Sequence, residues 1–143
     1  MPTRRGNAKW QGNLPDGNGT ISVESGVLED IQYSFKSRFQ EGKGTNPEEL
    51  IAGAHAGCFS MALAHALAID NYKPESIKTD TEVILVKIGD GFEIQKIILN
   101  TIAKIPNIAQ NKFVEYANEA KVNCPVSKAL KAVDIELNVV LNP

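Results

Sequence analysis

The chain has 143 residues, 43% of them hydrophobic, a length and apolar content suited to one domain with an ordinary core. Its formal net charge of -2, from 15 Lys and Arg against 17 Asp and Glu, provides no basic surface for phosphate backbones or anionic lipid, which argues against nucleic-acid and membrane roles. Arg4-Arg5 near the N-terminus is followed by polar residues where a secretory signal needs an apolar stretch, so a cytoplasmic location is expected.

Three antiparallel strands are predicted first, over about Asn7 to Gln11, Thr20 to Glu24 and Val27 to Phe39, the last broken near Glu29-Asp30. Asp16-Gly17-Asn18-Gly19 and Ser25-Gly26 supply the turns between them. After a polar loop at Glu41 to Gly44, Thr45-Asn46-Pro47-Glu48-Glu49 reads as a helix start. Thr or Asn can cap, Pro47 suits the first helical position, and the carboxylates favour the positive end of the helix.

From Leu50 to Ile69 apolar residues occupy nearly the whole circumference, the pattern of a helix enclosed by protein. His55, Ser60 and His65 interrupt this stretch, which favours a core helix over a membrane span. Lys78 to Ile88 and Phe92 to Ile105 flank Gly89-Asp90-Gly91 as a long hairpin. Asn111 to Val122 has helical spacing, Cys124-Pro125 restarts a short helix to about Ala132, and Asp134 to Leu141 is a final strand. The predicted class is α+β, antiparallel sheet packed on helices.

Cys58 and Cys124 are far apart in sequence and form neither a C-x-x-C pair nor a zinc-ribbon spacing. A cysteine inside an all-round apolar helix is ordinarily an inert packing residue, and Cys58 reads that way on pattern alone. Cys124 precedes Pro125 at a helix start, where free N–H groups stabilise a thiolate. In a reducing cytoplasm, a bond between the two is expected to be transient chemistry and not a structural staple.

Arg38 is a permanent cation with several donors, suited to a thiolate or a leaving alkoxide, and Glu48 could hold it bidentately; taken singly, each is more often an ordinary surface or capping residue. His55, Cys58 and His65 share one arc of the helix. His65, however, stands about 10 Å along the axis from Cys58, too far to share one small ion, so no metal is expected. Gly17, Gly19, Gly42-Lys43, Gly89 and Gly91 match no phosphate motif and read as turns.

Gly44-Thr45-Asn46-Pro47-Glu48-Glu49-Leu50-Ile51, continuing into Ala54-His55-Ala56-Gly57-Cys58-Phe59-Ser60-Met61-Ala62-Leu63, resembles the OsmC/Ohr family, the osmotically inducible and organic hydroperoxide resistance proteins. The likeness extends to Ser22 to Leu28, Arg38-Phe39 and Asn123 to Lys128, and the residues around Cys58 look closer to the OsmC branch. It implies one OsmC-like domain over residues 1–143: a β-meander over about 7–39, a central helix over about 46–70, and a hairpin, helices and last strand over about 76–141.

The family fold so implied is an intertwined homodimer with antiparallel sheets wrapped around long central helices, each site drawing on both subunits. The implied activity is a thiol peroxidase of oxidative or osmotic stress defence, acting on organic hydroperoxides and less readily on hydrogen peroxide. Cys58 is implied as the residue oxidised, Cys124 as its disulfide-forming resolver, and Arg38 and Glu48 as the activating pair, with Glu49 one position along as competitor. No bound cofactor is implied. The reductant is an external dithiol, lipoylated proteins being the preferred donors in the Ohr branch.

Overall fold

The computed structural model describes residues 1–143, which form two compact units, Met1–Leu50 and Ile51–Pro143. In the first unit, β1 (Gly6–Gln11), β2 (Asn18–Val23) and β3 (Ile31–Tyr33) make an antiparallel sheet in the order β1-β2-β3. Trp10 lies opposite Gly19, and the Trp10 and Tyr33 rings approach to 5.4 Å across β2. A Cβ on Gly19 would stand 2.5 Å from the Tyr33 ring and 2.7 Å from the Trp10 ring, so only glycine lets the rings meet there.

The predicted third strand is corrected. Only Ile31–Tyr33 is strand, and residues 35–39 turn into a short helix, α1 (Phe35–Phe39). The cause is a capping box: the Ser34 hydroxyl accepts the Ser37 N–H at 3.2 Å, and the Ser37 hydroxyl accepts the Ser34 N–H at 2.8 Å. Arg38 is therefore a helical residue and not the end of a strand.

Gly44, with φ of +115°, bends the following chain back so that the Thr45 N–H donates to the Gln32 carbonyl at 2.8 Å. The Ser37 hydroxyl donates to the Thr45 carbonyl at 2.8 Å, and Asn46 Nδ2 to the Ser37 carbonyl at 3.0 Å. These bonds fasten the start of α2 (Pro47–Ile69) to α1 and β3. Asn46 caps α2, accepting the Glu49 N–H at 2.8 Å.

In the second unit β4 (Ser76–Ile88) and β5 (Gly91–Lys104) form the expected hairpin, with a register shift at Ile84/Leu85. α3 (Gln110–Asn123) and α4 (Pro125–Ala129) follow, then β6 (Asp134–Asn142). β6 pairs with β5 in parallel, so the sheet is mixed and not wholly antiparallel. A parallel partner needs a crossover connection, and α3 with α4 supplies one.

Leu99 and Ala103 point inward from β5 and share one buried core with Phe59, Leu63 and Leu67 of α2 and Phe113 and Ala117 of α3, and Ile97 on the same strand is fully buried. Each large side chain so buried stabilises the unit by about 1.5–3 kcal/mol. Within one chain, α2 is not enclosed on every side. One face is covered, while Gly53, Ala54, Gly57 and Met61 are exposed, Met61 at 76%. By length and apolar content α2 is comparable to a membrane span, yet its covered face is the core of this unit.

Candidate active site

Two side-chain groups match the residues singled out in the sequence, one in each unit. In the first unit, Arg38 donates from Nε at 3.2 Å and from Nη2 at 2.9 Å, both to Oε1 of Glu48. Glu48 is nearly buried, and its Oε2 has no hydrogen-bond partner. Glu49 accepts the Thr45 hydroxyl at 2.7 Å, and Glu48 is the carboxylate that pairs with Arg38. The guanidinium also lies 5.1 Å from the centre of the Phe39 ring. A pocket of about 230 Å³ opens beside it, walled by Trp10, Leu14, Tyr33, Phe35 and Phe39.

In the second unit, Cys58 on α2 and Cys124 at the α3–α4 junction bring their sulfurs to 2.9 Å across a sequence separation of 66. That spacing is a thiol–thiol contact, well beyond the roughly 2.05 Å of a disulfide bond, and both cysteines are free. Cys124 is 0% exposed, whereas Cys58 is half-buried. Cys58 lines a groove of about 570 Å³ that also takes in Met61, His65, Glu119, Asn123 and Pro125. A reagent from solution therefore meets Cys58 first.

Cys124 closes α3, its N–H donating to the Ala120 carbonyl at 2.9 Å, and stands at the N-cap of α4. Its side chain makes no capping bond, however. The backbone amide of Val126, in the first turn of the new helix, acts on the other thiol, lowering the pKa of Cys58.

Burial pushes the Cys58 thiol above its ordinary pKa, the hydrogen bond with Cys124 adds to the rise, and the Val126 amide opposes both. The sulfur is reachable and paired with a second thiol but short of positive charge. An added cation is the missing ingredient for a reactive thiolate.

His55, one turn before Cys58 on α2, pairs with a serine instead of a metal. Its Nε2 lies 2.8 Å from the Ser127 hydroxyl on α4, and both residues are buried. Burial pushes its pKa down, favouring the neutral ring, and Nδ1 has no hydrogen-bond partner. No group of three His, Cys, Asp or Glu side chains is arranged to hold a metal. The sequence reading missed Ser127, because a serine 72 residues from a lone histidine carries no local signal.

The family model for OsmC-like proteins matches residues 40–138. The chain is 47% identical over 129 residues to the peroxiredoxin OsmC of Escherichia coli (strain K12), an alignment covering 90% of each. It is 34% identical over 125 residues to the organic hydroperoxide resistance protein OhrB of Bacillus subtilis (strain 168), covering 85% of this chain and 88% of that one. The crystal structure of Bacillus subtilis OhrB superposes with a TM-score of 0.71 at 28% identity, covering 95% of this chain and 98% of the other. With α+β architecture, motif residues and relatives in agreement, the chain belongs to the OsmC family.

Proposed function

We propose that this protein is a cytoplasmic thiol peroxidase that reduces organic hydroperoxides to alcohols through Cys58 and Cys124. The observation that carries the proposal is the sulfur pair itself, an accessible thiol 2.9 Å from a wholly buried one. The names of the relatives, a peroxiredoxin and a hydroperoxide resistance protein, favour the same chemistry.

In the proposed cycle the Cys58 thiolate attacks the O–O bond, forming an S–O bond as the alkoxide departs and takes a proton to become the alcohol. Cys58 is left as a sulfenic acid. The Cys124 sulfur then displaces hydroxide from Cys58, its proton going to the leaving group, to give a disulfide and water. An external dithiol attacks the half-buried Cys58 sulfur, and its second thiol then displaces Cys58, leaving the donor as a disulfide and both protein thiols restored. No bound metal or organic cofactor enters the cycle.

Arg38 is the proposed source of the positive charge that Cys58 lacks, lowering the thiol's pKa and stabilising the departing alkoxide, with Glu48 holding its orientation. The proposed assembly is a homodimer in which a second copy supplies Arg38. The uncovered face of α2 supports it: Gly53 and Gly57 have open space where a Cβ would be, as a closely approaching second helix demands. The aromatic pocket beside Arg38 suits the hydrocarbon part of an organic hydroperoxide better than hydrogen peroxide. Steady-state consumption of an alkyl hydroperoxide with a dithiol donor, run beside Cys58→Ser, tests the proposal; equal rates would sink it.

A further inference from the structure

Two buried polar groups in the second unit, the His55 ring and the Ser127 hydroxyl, are spent on each other within one turn of the thiols. His55 precedes Cys58 by three residues on α2, and Ser127 follows Cys124 by three residues on α4. Val126, adjacent to Ser127, has a backbone amide that acts on Cys58. The His55–Ser127 bond thus joins the same two helices at the same level as the sulfur contact.

Besides the sulfur contact and the packing of Val126 against the core, the His55–Ser127 bond is what ties α4 to α2 there. α4 has only five residues, and the Cys124 side chain makes no capping bond. Apolar packing alone does not select a rotation or a slide of so short a helix, whereas a 2.8 Å bond between buried partners does. Breaking it leaves a second unsatisfied atom on an imidazole whose Nδ1 already has no partner, so the helix gains by shifting until water reaches the ring.

We infer that His55 and Ser127 are positioning residues, a buried clamp that holds α4 in the register where Cys124 can close on Cys58. The inference rests on the peroxidase reading only for the origin of the sulfenic acid; the closure geometry stands apart from it. Closure competes with further oxidation, since a sulfenic acid that waits for its partner meets a second hydroperoxide and becomes sulfinic acid. Fast closure is therefore protective, and the clamp sets its speed.

The test follows intramolecular closure by quenched mass spectrometry after two different oxidants. With oxidised glutathione, Cys58 forms a mixed disulfide, which Cys124 displaces, releasing glutathione. With an alkyl hydroperoxide, the products are the intramolecular disulfide or Cys58 sulfinic acid. Ser127→Ala and His55→Leu should close about tenfold more slowly in both arms and build up the mixed disulfide and the sulfinic acid. His55→Gln, which keeps a donor within reach of Ser127, should restore most of the rate. Tyr116→Phe, which removes the Tyr116–Asp70 hydrogen bond from another part of the same unit, should close at the wild-type rate. Closure within about twofold of wild type in folded Ser127→Ala and His55→Leu would overturn the clamp, as would equal slowing in Tyr116→Phe. A wild type that closes with glutathione but never with hydroperoxide would defeat the peroxidase reading and leave the clamp to be decided by the glutathione arm.

Discussion

Arg38 gives two N–H donors to a single oxygen of Glu48, and the second oxygen of that carboxylate is buried without a partner. The carboxylate is thus committed to aiming the guanidinium but not saturated by it. Replacing Arg38 with Met should leave the protein folded and slow hydroperoxide consumption by at least about 100-fold, the scale of losing one oriented donor to developing charge. Glu48→Gln keeps an acceptor but not the charge and should cost less, on the order of tenfold. Stopped-flow decay of the hydroperoxide measures both, and rates near wild type would remove the pair from the mechanism.

Exposed small residues on α2 lead to a second expectation. A side chain at Gly57 meets nothing within the chain, so Gly57→Leu should leave the protomer's own packing intact. In the proposed homodimer the same leucine obstructs the approaching helix. Sedimentation should show a dimer for the wild type and a monomer or weakened dimer for Gly57→Leu, with activity falling alongside because Arg38 no longer reaches Cys58. A dimer of unchanged stability would place the interface elsewhere.

The buried imidazole predicts a pH dependence of stability. Burial lowers the pKa of His55 from its ordinary 6.5, so the unfolded chain binds its proton more tightly than the folded one does. The stabilisation is complete above about pH 6.5 and is lost as pH falls through the lower, folded-state value. Thermal midpoints of wild type should therefore drop between pH 7 and pH 5 more steeply than those of His55→Gln, in which nothing titrates at that position. Parallel curves would show that His55 does not couple folding to protonation.

Elements whose causes are local were legible in the sequence. Pro47 with Glu48 and Glu49 announced the start of α2, Gly89-Asp90-Gly91 the hairpin, and Pro125 the restart after Cys124. α1 was not, because its capping box uses Ser37 where the readable pattern has Glu or Gln, and the preceding alternation suited a strand. The parallel pairing of β6 and the His55–Ser127 bond depend on partners many residues away, which periodicity does not encode. The apolar circumference of α2 implies a helix surrounded by protein, and within one chain only one face is covered, since a pattern says that a face should be covered and not by which molecule.

The thiols themselves show the same division. Pattern made Cys58 an inert core residue and Cys124 the poised thiolate, whereas the fold buries Cys124 completely and turns the α4 amide toward Cys58. The roles proposed for them, implied by the family resemblance, are compatible with that geometry. The most direct measurement is mass spectrometry of the reduced protein after one equivalent of an alkyl hydroperoxide. The account predicts stoichiometric loss of both thiols to a Cys58–Cys124 crosslink, and in Cys124→Ser a Cys58 sulfenic acid in its place. Both thiols remaining free in the wild type, with the hydroperoxide unconsumed, would contradict it.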